Sequence, residues 1–132
     1  MKRLIAENDY YKVEVDKVKN RMYSVYRGFW EKPSDIPNYL EDVESAIGML
    51  TSGFTTIVDL REMKTPSPDV TELIIKMQKF SIDAGFSRGA RVMDTAMVTI
   101  TTGRVTRESE AEEQVRMFGS WEEAEEWLDS LG

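Results

Sequence analysis

Asp59 and Asp94 fall at the ends of two apolar stretches, FTTIVDL over 54–60 and ARVM over 90–93. Two carboxylates held close together at strand ends bind Mg²⁺ or share a proton, and open α/β sheets place ligands at that end. Glu62 and Asp69 would widen the acidic group. Strand-end aspartates more often cap helices or carry solvated loop charge, and no motif completes an active site around these two. Ser67, with Thr65 just before it, is a candidate phospho-acceptor in the segment TPSPD. A phosphate at a helix start meets free backbone N–H groups and the positive end of the macrodipole. Asp69 and Glu72 would repel it, and the competing account is a capped helix with proline in its first turn. Arg88 and Arg91 bracket a glycine in SRGAR and suit an anionic ligand or a partner's carboxylate. Arg104 and Arg107 face the acidic run Glu108 to Glu113 instead, which reads as a solvated surface.

What the chain lacks removes whole classes of chemistry. Its 132 residues contain no His and no Cys. Disulfides, Cys/His zinc sites, Ser-His-Asp triads and Cys-His dyads are therefore excluded. Gly85 and Gly89 form no dinucleotide fingerprint, and no Walker motif is present. No catalytic residue, metal or cofactor is assigned, and the expectation is a protein that is not an enzyme. With 17 Lys+Arg against 24 Asp+Glu the net charge is −7. That balance disfavours non-specific nucleic-acid binding and anionic membranes. No stretch reaches the ~20 apolar residues of a membrane span. The start MKRLIAEN has no apolar segment behind its charges, unlike a secretory signal. A cytoplasmic location follows as the default expectation.

The elements that must position these residues follow from periodicity. Tyr11, Val13 and Val15 alternate with charged residues, a half-buried strand, and a polar turn over 16–20 leads to a second strand over 21–30. Tyr39, Leu40, Val43, Ala46, Ile47 and Leu50 form a helical stripe. A central strand is expected over 54–60, then a loop over 61–68. A second helix should start at Asp69, whose spacing to Glu72 is that of a capping box, with Val70, Leu73, Ile74, Met77, Phe80 and Ala84 inward. Short strands are expected over 90–93 and 114–118. Residues 95–112 are assigned to a crossover helix, partly because the neighbouring order requires one; a hairpin there would instead give an antiparallel α+β sandwich. Ser120 and Glu123 cap a last helix carrying Trp121, Ala124, Trp127, Leu128 and Leu131. The order is β-β-α-β-α-β-α-β-α in one domain over 1–132, with the first strand antiparallel at an edge and the rest of a five-stranded sheet mostly parallel.

This order, with the pattern Val15, Asp16, Asn20, Gly28, Phe29, Trp30 early and Val115, Phe118, Glu122, Glu123, Ala124, Trp127, Leu128 late, resembles the STAS domain, the SpoIIAA-like fold of anti-anti-sigma factors. It is more similar still to small stand-alone bacterial SpoIIAA-like, STAS/SEC14-related proteins. The resemblance implies an α/β (β-α)n superhelix with helices mainly on one face and no enzymatic activity. It also implies a partner kinase that phosphorylates a Ser in a D-S-x-G-like motif after a central strand. Here that loop reads LREMKTPSPDV: the motif is missing and two prolines stand in it.

The expected function is thus a STAS-like regulatory or protein-interaction module. Its partner would be a regulatory kinase or another signalling protein, and a homodimer is compatible with it. Asp59, Arg61, Met63, Asp94, Trp30 and Trp121 are the expected contact residues, with loop 61–69 at the centre. Trp121 and Trp127 cannot both lie on one narrow stripe, so one must sit at its margin. The alternative is a carrier of a small apolar ligand, because SEC14-related domains hold lipids between sheet and helices. A lipid needs a cavity of a few hundred Å³.

Overall fold

Alternation builds the front of the sheet. Tyr11, Val13 and Val15 are buried, while Lys12 and Glu14 between them face the other side and pair at 3.7 Å. This strand, β2 (Tyr11–Asp16), runs antiparallel to β3 (Arg21–Gly28), from Tyr11↔Tyr26 to Asp16↔Arg21. Asn20 closes the turn in the left-handed region at φ 55. Its side-chain amide also clamps Thr51, donating to the carbonyl at 3.0 Å and accepting from the N–H at 2.9 Å. Asparagine tolerates that backbone and supplies both hydrogen bonds.

The structure is a computed structural model and describes residues 2–93 and 114–131. After β3 come α1 (Tyr39–Gly48), β4 (Thr55–Met63), α2 (Pro68–Asp83), β5 (Arg88–Val92), β6 (Val115–Phe118) and α3 (Trp121–Leu131). A further strand, β1 (Lys2–Glu7), precedes β2. The six described strands lie in strictly sequential order; β2 runs antiparallel to both β1 and β3, and β3 through β6 are parallel. Helices α1 and α2 cover one face, burying Val43, Ala46, Ile47, Val70 and Met77 against Val13, Val15, Val58 and Leu60. Helix α3 covers the other, setting Ala124 and Leu128 on Tyr23, Ile57, Ala90 and Val92.

Four features depart from the sequence expectation. Among the described residues the sheet has six strands rather than five, and β1 takes the edge expected of β2. Its residues are mostly exposed and half of them are charged, as suits an edge strand, so it carries no clean alternation. Strand β4 continues to Met63 because, after a register shift, Glu62 and Met63 pair with Arg27 and Gly28. Asp59 is therefore mid-strand and not at a strand end, and Arg61 is not in a loop. Helix α2 starts at Pro68 with Ser67 as its cap, and Asp69 lies inside the first turn. Its buried face is Val70, Thr71, Ile75, Met77 and Ser81, while Phe80 is 38% exposed. The helix expected over 95–112 lies outside the described residues.

The connection after α2 needs glycine. Gly85 sits at φ 108, and a Cβ there would come within 2.4 Å of the Ser52 hydroxyl oxygen. The closeness serves a backbone bond, Gly53 N–H to the Gly85 carbonyl at 2.7 Å, which ties the two helix-to-strand turns together.

Helix α3 is held by charge as well as by packing. Ser120 caps it, accepting from the Glu123 N–H at 3.2 Å. The buried Arg21 guanidinium donates to Glu125 and, at 2.9 Å, to Asp129, and the Tyr23 hydroxyl donates to Glu125 at 2.9 Å. The hydrogen bond from Arg21 holds the Asp129 carboxyl below the usual carboxylate range, against a smaller opposing effect of burial. A lowered pKa means this contribution is present above the unfolded value, about 3.9, and is lost as pH falls through the folded one. The difference in urea midpoint between wild type and Asp129→Asn is thus expected to be full near neutral pH and to shrink in acid. A difference that stays constant through the acid range would contradict the pairing.

Candidate functional site

The expected site residues mostly hold the fold. Asp59 is 7% exposed. It accepts from the Arg61 backbone N–H at 3.0 Å and from its guanidinium at 3.0 and 2.7 Å. Asp94 lies outside the described residues. Ser67 accepts from the Val70 N–H at 3.3 Å and donates to the Glu31 carbonyl, a helix cap of the kind worth about 1 kcal/mol. Thr65 is half-buried nearby. Met63 is buried in the core on the α1/α2 side.

Trp30 is fully buried, at 0% exposure, so it has no surface to offer. Its ring lies 4.6 Å from Tyr26, 5.3 Å from Tyr39 and 5.9 Å from Tyr11. Its indole N–H donates to the Arg27 carbonyl at 3.0 Å. Trp121 is half-buried, stacked on Tyr23 at 5.7 Å, with the Lys2 ammonium 4.1 Å from the Tyr23 ring. Trp127 is also half-buried, against Phe118.

The two arginines of SRGAR part company. Arg88 is exposed and donates to the Ser87 carbonyl. Arg91, opposite Val58 in the β4–β5 register, points under α2 and is 6% exposed. Gly89 makes this placement possible: a Cβ there would lie 2.8 Å from the Phe86 ring and 3.0 Å from Arg91 Nη1. Arg91 Nη2 donates to Gln78 Oε1 at 2.8 Å, and Nη1 reaches the Ala90 carbonyl at 3.4 Å. Both acceptors are neutral, and no carboxylate pairs with this cation among the described residues. Burial pulls its pKa below the ordinary arginine value, but a guanidinium stays charged in proteins.

Arg91 lines a cavity of about 60 Å³ between the sheet and helices α1 and α2. Tyr26, Tyr39, Thr56, Gln78 and Ser81 supply its other polar groups, and Met22, Val43, Val58, Leu60, Met63, Pro66, Ile74 and Met77 its apolar wall. The Tyr26 and Tyr39 hydroxyls are hydrogen-bonded to each other at 2.6 Å. Burial raises both pKa values, so both remain neutral hydroxyls. Gln78 Nε2 is buried with no partner among the described residues. Its orientation is fixed, because Arg91 only donates and the atom facing it must be the amide oxygen.

Sequence reasoning singled out Arg91 but missed Gln78 and Ser81. A signal existed: Thr71, Gln78 and Ser81 share one face of α2, polar residues at steps of seven and three. An inward phase built only from apolar residues passes over them.

This arrangement, with its parallel strands after an antiparallel front and helices α1 and α2 packed together over one face, is a SpoIIAA-like fold. Comparison with solved structures agrees. An uncharacterized protein of the DUF3478 family with a SpoIIAA-like fold, from Shewanella loihica PV-4, superposes with a TM-score of 0.65. The match covers 93% of this chain and 97% of that one at 16% sequence identity. No protein-family model and no curated protein matches the sequence. Among the described residues no helix is long and apolar enough to cross a membrane, and no cluster of acidic residues could hold a metal ion.

Proposed function

We propose that the protein is a non-catalytic regulatory module that binds a small anion inside the cavity between the sheet and helices α1 and α2. One observation carries this: the buried Arg91 guanidinium borders that space with only neutral acceptors around it among the described residues. A buried cation without a counter-charge is costly, and a site that keeps one is suited to receive an anion. Asp59 and Ser67, the residues best able to do chemistry, are engaged in a strand pair and a helix cap, which favours binding over catalysis. At about 60 Å³ the space falls well below the 300–1,000 Å³ of drug-sized sites, which disfavours the acyl chain of a lipid.

Thermal unfolding against a panel of small anions tests this. A ligand present at one hundred times its Kd adds about 2.7 kcal/mol to the folded state. At least one anion should therefore raise the Tm of the wild-type chain by several degrees and leave Arg91→Leu unmoved. An equal response from both chains, or none from the wild type, contradicts the proposal.

A second reading, docking to a signalling partner, is favoured by one surface. Phe29 is 46% exposed beside the segment 64–67, to which its strand end is bonded through Lys64 N–H to Gly28 O at 2.9 Å and Ser67 N–H to Trp30 O at 3.1 Å. This keeps the loop before α2 as a contact element, with Phe29 in place of Trp30.

A further inference from the structure

We infer that the anion is a short-chain monocarboxylate, held head-first against Arg91 and Gln78; the inference rests on the preceding proposal that the cavity is a binding site. Three properties of the cavity select this class.

The first is charge. Among the described residues, Arg91 is the only cationic side chain lining the cavity. One buried cation neutralises one anionic charge, and a dianion would carry its second charge into a low-dielectric space uncompensated.

The second is the set of donors. Gln78 Nε2 has two N–H groups and no acceptor among the described residues. The guanidinium has five N–H groups, of which the two contacts to Gln78 and Ala90 leave others with no acceptor among the described residues. Tyr26 and Tyr39 hold two hydroxyl protons but share one hydrogen bond, so one proton remains to donate. A carboxylate accepts at about four positions on two oxygens, and arginine presents the fork that fits it. These neutral and cationic donors thus match an acceptor-only head.

The third is size and lining. A water-sized group needs about 10–15 Å³, so the space seats about four to six non-hydrogen atoms. Arg91 lies opposite Val58, and the same strand adds the apolar lining residues Leu60 and Met63. Successive inward residues on a strand are about 6–7 Å apart, so a carboxylate at Arg91 directs a two- or three-carbon tail toward Leu60, Met63 and Ile74.

Isothermal titration calorimetry on the full chain tests the inference with propionate, butyrate, octanoate, propionamide and inorganic phosphate. Propionate and butyrate should bind one to one. Octanoate, too long for the cavity, and propionamide, the neutral counterpart, should each bind at least tenfold more weakly. Gln78→Leu, which keeps the Arg91 charge, should weaken propionate about tenfold, and Arg91→Met should abolish detectable binding. Near-ultraviolet circular dichroism checks that both variants keep their packing, and should Arg91→Met lose it, Gln78→Leu carries the test. Binding of phosphate or octanoate with no binding of propionate overturns the monocarboxylate while leaving a ligand site in place. Equal affinity for propionamide and propionate overturns the role of charge. Absence of binding by every probe overturns both the inference and the proposal beneath it.

Discussion

In carboxylate-free buffer, Arg91→Met should unfold at a higher urea concentration than the wild-type chain. Most substitutions of buried residues destabilise, so the sign is diagnostic. The guanidinium is 6% exposed, and its described acceptors are one amide oxygen and one backbone carbonyl. Neither returns the free energy lost when the cation leaves water. Methionine fills similar volume without charge and adapts to irregular space. Replacing buried ionic groups with apolar ones of similar volume has stabilised proteins by about 1–4 kcal/mol. The expected gain lies toward the lower end, because Gln78 Oε1 then loses its donor as well. The double variant Arg91→Met/Gln78→Leu removes that orphan and should gain more than Arg91→Met alone. Strong destabilisation of the double variant would mean that Arg91 is a structural strut, and the binding proposal would lose its main support.

Trp30→Ala should lose about 3–5 kcal/mol, a large part of a typical domain's stability. The ring is fully buried, touches Tyr11, Tyr26 and Tyr39, and anchors the end of β3 through its indole N–H. Truncation leaves a cavity in a close-packed aromatic group and removes the indole N–H from the Arg27 and Tyr10 carbonyls. Because Tyr26 and Tyr39 also line the Arg91 cavity, the same variant should loosen that site. Urea unfolding measures the loss. A change below about 0.5 kcal/mol, as expected of a surface residue, would contradict the packing.

These two residues mark how far the sequence could be followed. Tyr11, Val13 and Val15 declared a half-buried strand because a sheet with one face in the core imposes a period of two. The last helix was legible from Ser120 and Glu123, whose cap is local and depends on no distant contact. Most of the SpoIIAA-like order of strands and helices followed from such local signals, whereas the helix over 95–112 was assigned from the order of its neighbours and lies outside the described residues. Strand β1 did not, because an edge strand rich in charge loses its alternation. The extension of β4 to Met63 was hidden because pairing with Gly28 is a long-range event that no local propensity encodes. Trp30 looked like a surface anchor because an aromatic beside prolines and polar residues carries no sign of which way it faces.

The candidate site was half legible. SRGAR drew attention to two arginines as receivers of an anion, and one of them occupies the cavity. The sequence could not distinguish exposed Arg88 from buried Arg91, because the difference is set by the pairing of β5 with β4 and by the space left at Gly89. Gln78 and Ser81 were passed over for the converse reason. Polar residues on the inner face of an amphipathic helix look like errors of phase until a buried charge is found opposite them.

The most direct measurement is a side-chain NMR titration of the ¹⁵N-labelled protein with propionate, following the Arg91 Nε–H and the Gln78 amide protons. The account predicts that these signals shift together, saturate at one equivalent and report a single Kd, while Arg88 stays still. Saturable shifts confined to Arg88 or other surface residues, with Arg91 and Gln78 unmoved, would contradict it.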